Sequence, residues 1–268
     1  MDGHIGTLGI GGGRSPMVRC IRGMEGPSGP PLSSRCCIYK LDLEALFKTV
    51  KEWEEETRAC YAENIELSSE DFAKMILLDG IYIFELFLRN YAGDLREDSD
   101  RILIFDPGFF NAINHDLILL ENQLPFFVLE RIFDLSSQQI PRGIFSTMLH
   151  LTFDFFSDYN TQKKQPNFEV IHLLDLVRIF QLPSNPITKR NTDEEFKFQH
   201  SATDLFRAGV KFKVASSGCL LDMHFKNNIL EIPCLTLYAK TESYIRNLMV
   251  FEQCHHPYDS PILDFFFF

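Results

Sequence analysis

Apolar residues recur at helical spacing through the first two thirds of the chain. The first predicted helix has one apolar face, whereas the second is apolar nearly all round and must be covered on more than one side. Ser68 and Ser201 stand where a side-chain oxygen would cap the start of a helix, and Gly209 stands where a helix would end. The predicted helices cover residues 42–62, 72–91, 141–158, 168–181 and 201–208.

The block DLILLENQLPFFVLERIF, residues 116–133, is so apolar that we expect it near the centre of the fold. Pro125 cannot continue a helix but fits the first turn of a new one. We therefore expect a short helical segment to end near Glu121 and a second to start at Pro125. Asn122 and Gln123 at the break would be partly buried. We expect them to bond to backbone groups freed at the break, and contact with a ligand is the alternative.

The last third of the chain changes to the spacing of strands. Three strands are predicted in an antiparallel meander, over residues 210–214, 219–225 and 229–235. Two asparagines at positions 227 and 228 favour a two-residue turn, which pairs His224 with Glu231 and Phe225 with Leu230. One face of the sheet would be apolar and packed on the helices. Pro233 is accommodated if its strand lies at an edge.

These elements predict the α+β class, mainly α with a small antiparallel β-sheet. The chain has 268 residues, of which 45% are hydrophobic and 26 are phenylalanine, enough for a sizeable core. Residues 1–37 are rich in glycine and proline and are predicted to form a disordered leader, followed by a single helical domain over residues 38–268. The glycine cluster at residues 9–13 lacks the strand and the Gly-Lys-Ser/Thr of a phosphate loop, and no cofactor is predicted.

Charge and cysteine content argue against several classes of protein. The net charge of -11 and the pI near 5.2 argue against a nucleic-acid binder, because phosphate contacts need clustered lysine and arginine. Seven cysteines without a C-x-x-C spacing indicate a reduced intracellular protein. The most apolar helix candidate, residues 75–88, carries two carboxylates and is shorter than the roughly 20 residues that a bilayer needs, so no membrane span is predicted.

Two groups of residues are weak candidates for chemistry. Asp222 and His224 have the spacing that places both side chains on one strand face, with Glu231 across the turn, and such a set could bind a metal. An exposed polar sheet face explains the same residues without a ligand. Cys254, His255 and His256 form a second group at the end of a helix, but consecutive side chains diverge and Pro257 simply ends the helix, which disfavours a metal site. No nucleophile motif such as G-x-S-x-G or H-E-x-x-H is present, and no catalytic or cofactor-binding residue is predicted.

Five blocks of the chain stand out together: MILLDG (residues 75–80), DLILLENQLPFFVLE (116–130), ATDLFRAGVKFK (202–213), LEIPCL (230–235) and TESYIRNLMVFEQC (241–254). In this order they resemble the recurrent blocks of the plant family called "domain of unknown function 247". The motif positions within them are Asp79, Gly80, Asp116, Glu121, Asn122, Gln123, Pro125, Gly209, Pro233 and Glu252.

The resemblance implies a mostly helical plant protein without an established enzymatic activity, and it supplies no catalytic residues. Members of the family are typically held at the plasma membrane by a C-terminal hydrophobic helix, and some in grasses are associated with self-incompatibility. This chain ends soon after VFEQC, without the family's remaining helices and anchor, which suggests a truncated member in the cytoplasm. The favoured function is non-enzymatic recognition or signalling through an unidentified protein partner. The alternative is a metal-dependent or hydrolytic enzyme.

Overall fold

A computed structural model describes residues 43–92, 107–137, 147–184 and 201–267. The predicted leader, residues 1–37, and the helix start predicted at Pro141 lie outside these residues. The described part is mainly helical with one small sheet, which confirms the predicted α+β class. Its α-helices are α1 (Leu43–Glu52), α2 (Glu54–Ala59), α3 (Ser69–Ala92), α4 (Pro107–Leu117), α5 (Phe126–Ser137), α6 (Met148–Phe155), α7 (Leu173–Gln181), α8 (Ala202–Arg207), α9 (Thr241–His255) and α10 (Pro261–Phe267).

Local signals set several helix ends as predicted. The Ser68 hydroxyl accepts the Asp71 N–H at 3.1 Å at the start of α3. At α8 the reciprocal capping box between Ser201 and Asp204 is complete. Gly209 follows α8 with a φ of 90°, a left-handed conformation that favours glycine. The predicted first helix is instead divided into α1 and α2, and the helix predicted over residues 168–181 begins only at Leu173.

Helix α3 forms the centre of the core because it packs against α1, α5 and α6. This explains its apolar surface on nearly every side. Aromatic rings fill the contacts: Phe84 meets Phe133 of α5 edge-on at 6.0 Å between ring centroids, and Phe87 meets Phe155 of α6 at 4.5 Å. The apolar block predicted to be central supplies α5, in which Val128, Leu129 and Ile132 are fully buried.

Gly80 lets α3 and α5 approach closely. A Cβ atom at this position would overlap the Cδ1 methyl group of Ile132, which is itself fully buried in α5. Glycine in a helix interior costs about 1 kcal/mol relative to alanine. The close contact between the helices explains why a residue unfavourable for the helix stands here.

We expect Gly80→Ala to lower the free energy of unfolding by about 1–2 kcal/mol, since overpacking a core costs roughly 1–3 kcal/mol and the gain in helix propensity offsets part of it. Ile132→Val removes the overlapping methyl group and should cost about 0.5–1.5 kcal/mol alone. The double variant should be more stable than the sum of the two single losses predicts, as measured by urea denaturation. Additive losses would show that the two helices do not meet at Gly80.

The sheet consists of β1 (Lys211–Val214), β2 (His224–Lys226) and β3 (Ile229–Ile232) in the order β1-β3-β2. The turn predicted between β2 and β3 is confirmed: Asn227 and Asn228 have φ of 52° and 59°, as a type I′ hairpin requires. His224 pairs with Glu231 and Phe225 with Leu230 in the predicted register.

The predicted antiparallel meander is wrong for the first strand. β1 pairs with β3 in parallel, so the sheet is mixed and β3 is its central strand. The cause lies in the connection from β1 to β2, because buried Cys219 reaches the Gln181 carbonyl of α7 and draws the chain away from β1. For the same reason the predicted strand over residues 219–225 is reduced to three residues.

Pro233 does not lie in an edge strand, contrary to the prediction. It is buried directly after β3, at the point where the central strand ends. Proline has no N–H to donate, so the ladder of hydrogen bonds ends at Ile232. The prediction that helices cover the apolar face of the sheet is also wrong, because strand alternation indicates which face is apolar and does not determine what covers it.

Candidate functional site

Gln123 joins three parts of the core at the break before α5. Its Nε2 donates to the carbonyls of Leu117 and Leu119, at 2.9 and 2.6 Å, and its Oε1 accepts the Leu174 N–H at 2.9 Å. The Tyr61 hydroxyl donates to the Gln123 carbonyl at 3.2 Å. The structure therefore uses this side chain to satisfy backbone groups freed at the break and at the start of α7, as predicted.

Neighbouring polar groups complete the break. Leu120, in the 3₁₀ turn Leu120–Asn122, donates its N–H to the Asn247 side chain of α9 at 2.8 Å. Asn122 donates to the Asp116 carbonyl at 3.0 Å, and Glu121 is exposed. The break is thus a structural joint between α4, α7 and α9. Among the polar side-chain atoms of the break, Asn122 Oδ1 is buried and has no hydrogen-bond partner.

A buried ion pair connects α7 to α9. Arg178 Nε donates to Glu252 Oε1 at 2.8 Å, and the exposed fractions of the two side chains are only 5% and 0%. The second oxygen of Glu252 accepts the N–H groups of Ile262 and Leu263 at the start of α10. Burial raises the pKa of the Glu252 carboxyl, and the backbone donors and the guanidinium oppose that change. The pair therefore fixes three helices together.

The rings of His172, His255 and His256 lie around Phe251, next to the ion pair of Arg178 and Glu252. His172 is fully buried, and its Nδ1 accepts the Asp175 N–H at 3.0 Å, so the ring caps α7. Burial, reinforced by the neighbouring His255 and His256, lowers the pKa of His172 to about 3. The imidazole is thus neutral at physiological pH. The ring therefore has a structural role as the cap of α7.

The weak candidates Asp222, His224 and Glu231 are brought only partly together. His224 Nε2 lies 2.7 Å from Asp222 Oδ1 on the exposed side of the sheet, and Glu231 is the neighbour of His224 across the hairpin. In the described residues, no group of three or more histidine, cysteine, aspartate or glutamate side chains could hold a metal ion. Cys254 is exposed at the end of α9, and its thiol is free.

The exposed surface of the sheet has two chemically different faces. The register places the side chains of β1, β3 and β2 in rows, so that Phe212, Leu230 and Phe225 lie side by side. The apolar sheet face consists of Phe212, Val214, Phe225, Leu230 and Ile232. The opposite face carries the charged side chains Lys211, Lys213, His224, Lys226 and Glu231.

Most of the apolar sheet face is exposed to solvent, although Leu230 is half-buried. Val214 is 76% exposed and Phe225 61% exposed, although both belong to the residue types that fold into cores. The sheet is tied to the helices by its connecting loop, where Thr161 donates to the Gly218 carbonyl at 2.6 Å and Cys219 is buried. A Cβ at Gly218 would press on the Thr161 backbone, which shows how close that tether is. The described helices hold the sheet at this loop and do not cover its apolar face.

Two features were not predicted from the sequence. The pair of Arg178 and Glu252 joins positions far apart in the chain, although an arginine within the apolar run LLDLVRIF is a signal that a buried partner exists. The exposure of the apolar sheet face had no such signal, because alternating strands look the same whether a helix covers them or not.

A family model described as "plant protein of unknown function", domain of unknown function 247, matches residues 32–268. The chain belongs to this plant family. The resemblance seen in the sequence blocks is thereby confirmed. UPF0481 protein At3g47200 of Arabidopsis thaliana is 30% identical over 243 residues, which cover 80% of this chain and 50% of that protein. The chain thus spans about half the length of this relative.

No solved structure matches the chain in a comparison of structures. In the part of the chain that the structure describes, no helix is both long and apolar enough to cross a bilayer.

The family-motif positions serve several structural purposes. Asp79 and Pro125 are buried, Gly80 admits Ile132, Gln123 bridges the break and Glu252 forms the buried ion pair.

Proposed function

We propose that this protein is a non-enzymatic recognition protein that binds another protein through the apolar sheet face. The observation that carries the proposal is the exposure of Val214 and Phe225 on a sheet whose opposite face is charged. Contiguous exposed apolar patches on a folded protein are characteristic of surfaces that bind partners. Aromatic side chains such as Phe225 commonly supply a large share of the binding free energy at such surfaces.

The use of the interior polar groups supports a role without catalysis. Gln123 satisfies backbone groups, His172 caps a helix and the Arg178 guanidinium is held by Glu252. The contacts named here all lie within the fold, and of these three side chains only His172 has a buried atom, Nε2, without a hydrogen-bond partner. A partner-binding role also agrees with the recognition function that the family resemblance implies for some members. An intracellular location remains a prediction from the cysteine pattern.

The test replaces Phe225 with threonine, which keeps the strand propensity and removes the exposed ring. Proximity labelling with the full chain in plant cells identifies candidate partners. We expect at least one of them to bind the purified wild-type chain and to bind the Phe225→Thr variant at least about tenfold more weakly. Leu237→Thr is the matched control, because Leu237 is 73% exposed but lies outside the sheet. A reconstituted partner that binds wild type and Phe225→Thr equally would contradict the proposed surface, provided that both variants show wild-type unfolding curves.

A further inference from the structure

Strand β1 presents its backbone at an exposed edge of the sheet. The Lys211 N–H donates to the carbonyl of Asn228, directly before β3, and the Ala215 N–H donates to the carbonyl of Ile232 in β3, each at 2.8 Å. In a parallel pair alternate residues bond to the same neighbour, so the N–H and C=O groups of Phe212 and Val214 point away from β3. All four residues of β1 are exposed, and within the described residues β1 pairs with β3 alone. An exposed edge of this kind is a template for a further strand.

The side chains of β1 determine which chemical groups an added strand would contact. Lys211 and Lys213 point to the charged face of the sheet, whereas Phe212 and Val214 belong to the apolar sheet face. Residues 201–240 hold five lysines and arginines against three aspartates and glutamates, although the whole chain has a net charge of -11. The region around the edge is thus opposite in charge to the chain as a whole, which favours an acidic partner.

We propose that β1 binds an extended segment of another protein by strand addition, and that acidic residues alternate with aliphatic or aromatic residues in this segment. The inference rests on the proposed function and specifies the chemistry of the partner. Every second side chain of the added strand lies beside Lys211 and Lys213 as a carboxylate. The intervening side chains extend the apolar sheet face next to Phe212 and Val214, while backbone hydrogen bonds supply affinity.

A second copy of this chain is a less suitable occupant. Pairing of β1 with its own copy about a two-fold axis would bring the rows containing Lys211 and Lys213 next to each other, and adjacent like charges destabilise a sheet. Lysines on edge strands commonly prevent pairing between copies for this reason. The same lysines attract an acidic strand. Repulsion between lysines of two copies and attraction between lysine and carboxylate therefore both favour an acidic partner over a second copy.

The probe is a fluorescently labelled peptide that alternates glutamate with valine and phenylalanine, titrated into the full chain and followed by fluorescence anisotropy. Val214→Pro removes an N–H that points outward and takes no part in the β1–β3 ladder, so the sheet is retained. We expect this variant, and Lys211→Glu combined with Lys213→Glu, to weaken binding at least about tenfold. Lys226→Glu changes a lysine on the same face at the opposite edge and should keep the affinity within about twofold.

One further arm uses the wild-type chain alone, and a second reverses the charge of the peptide together with that of the protein. Methylation of the peptide's alternate backbone nitrogens blocks strand pairing and should abolish binding to the wild-type chain, while a peptide with lysine in place of glutamate should bind only the charge-reversed variant. Protection of the Lys211 and Ala215 amides from hydrogen exchange checks that Val214→Pro keeps its sheet.

Three results would overturn the inference. They are no binding of the acidic peptide, equal binding of its methylated form, and a dimer of the full chain that dissociates in Val214→Pro, which would make a second copy the occupant.

Failure of the strand-addition inference can be distinguished from failure of the proposed function. If a reconstituted partner is lost in Phe225→Thr but retained in Val214→Pro, the apolar face binds without strand addition. If it is retained in both, the proposed surface is wrong as well.

Discussion

Replacing Glu252 with glutamine is expected to lower the free energy of unfolding by about 3–5 kcal/mol, the cost typical of leaving one charge of a buried pair without its partner. Arg178 is 95% shielded from solvent and would keep its charge, since a guanidinium stays protonated in proteins. The glutamine amide can still accept a hydrogen bond at the start of α10, so most of the loss comes from the unpaired guanidinium. Equilibrium unfolding in urea measures the change.

The double variant Arg178→Met with Glu252→Gln tests this cause. It removes both charges, and we expect it to be at least about 2 kcal/mol more stable than the sum of the two single losses implies. The matched control lies on the same helix: Glu242 and Arg246 form an ion pair whose side chains are 76% and 73% exposed. Glu242→Gln should change the free energy of unfolding by less than about 0.5 kcal/mol. Strict additivity of the Arg178 and Glu252 losses would show that the pair does not hold α7, α9 and α10 together.

Features governed by neighbouring residues were predictable from the sequence. The capping serines, the positive φ at Gly209 and the turn at Asn227 and Asn228 each follow from the local chemistry of one or two side chains. That turn then fixed the register of His224 against Glu231, because a two-residue hairpin leaves no freedom in the pairing. The role of Gln123 was predictable as well, since a break within a buried block must satisfy its own backbone groups.

Features that depend on distant contacts were not predictable. The parallel pairing of β1 with β3 follows from where Cys219 is anchored on α7, and no property of the strands themselves indicates it. The partnership of Arg178 with Glu252 likewise depends on how α9 crosses α7. The apolar sheet face was identified correctly from alternation, but its exposure depends on where the helices end. These long-range contacts determine the exposure of the apolar sheet face, on which the proposed function rests.

The second large effect is expected at Gln123, where Gln123→Leu should lower the free energy of unfolding by roughly 3–5 kcal/mol. Leucine has a similar volume, so little space is lost, but the Leu174 N–H and the Leu117 and Leu119 carbonyls lose their partner. Each buried polar group left unsatisfied costs about 1–3 kcal/mol. Urea denaturation measures the loss, and hydrogen exchange at the Leu174 amide should accelerate more than at amides elsewhere in α7. Glu121→Gln, on the exposed side of the same break, serves as the control and should stay within about 0.5 kcal/mol of wild type.

Gln123→Glu separates lost hydrogen bonds from lost volume. The new carboxylate can accept the Leu174 N–H but faces two carbonyl oxygens in a buried site, so its folded pKa should rise above the unfolded value of about 4.3. The folded state then binds a proton more tightly than the unfolded state, and the stability of this variant relative to wild type should fall as pH rises through that raised pKa. Lowering the pH from neutrality toward 5 should therefore recover part of the loss, because the protonated carboxyl donates to one carbonyl. A deficit that stays constant over this range would mean that the side chain at position 123 leaves the core, and that the break is held by its backbone alone.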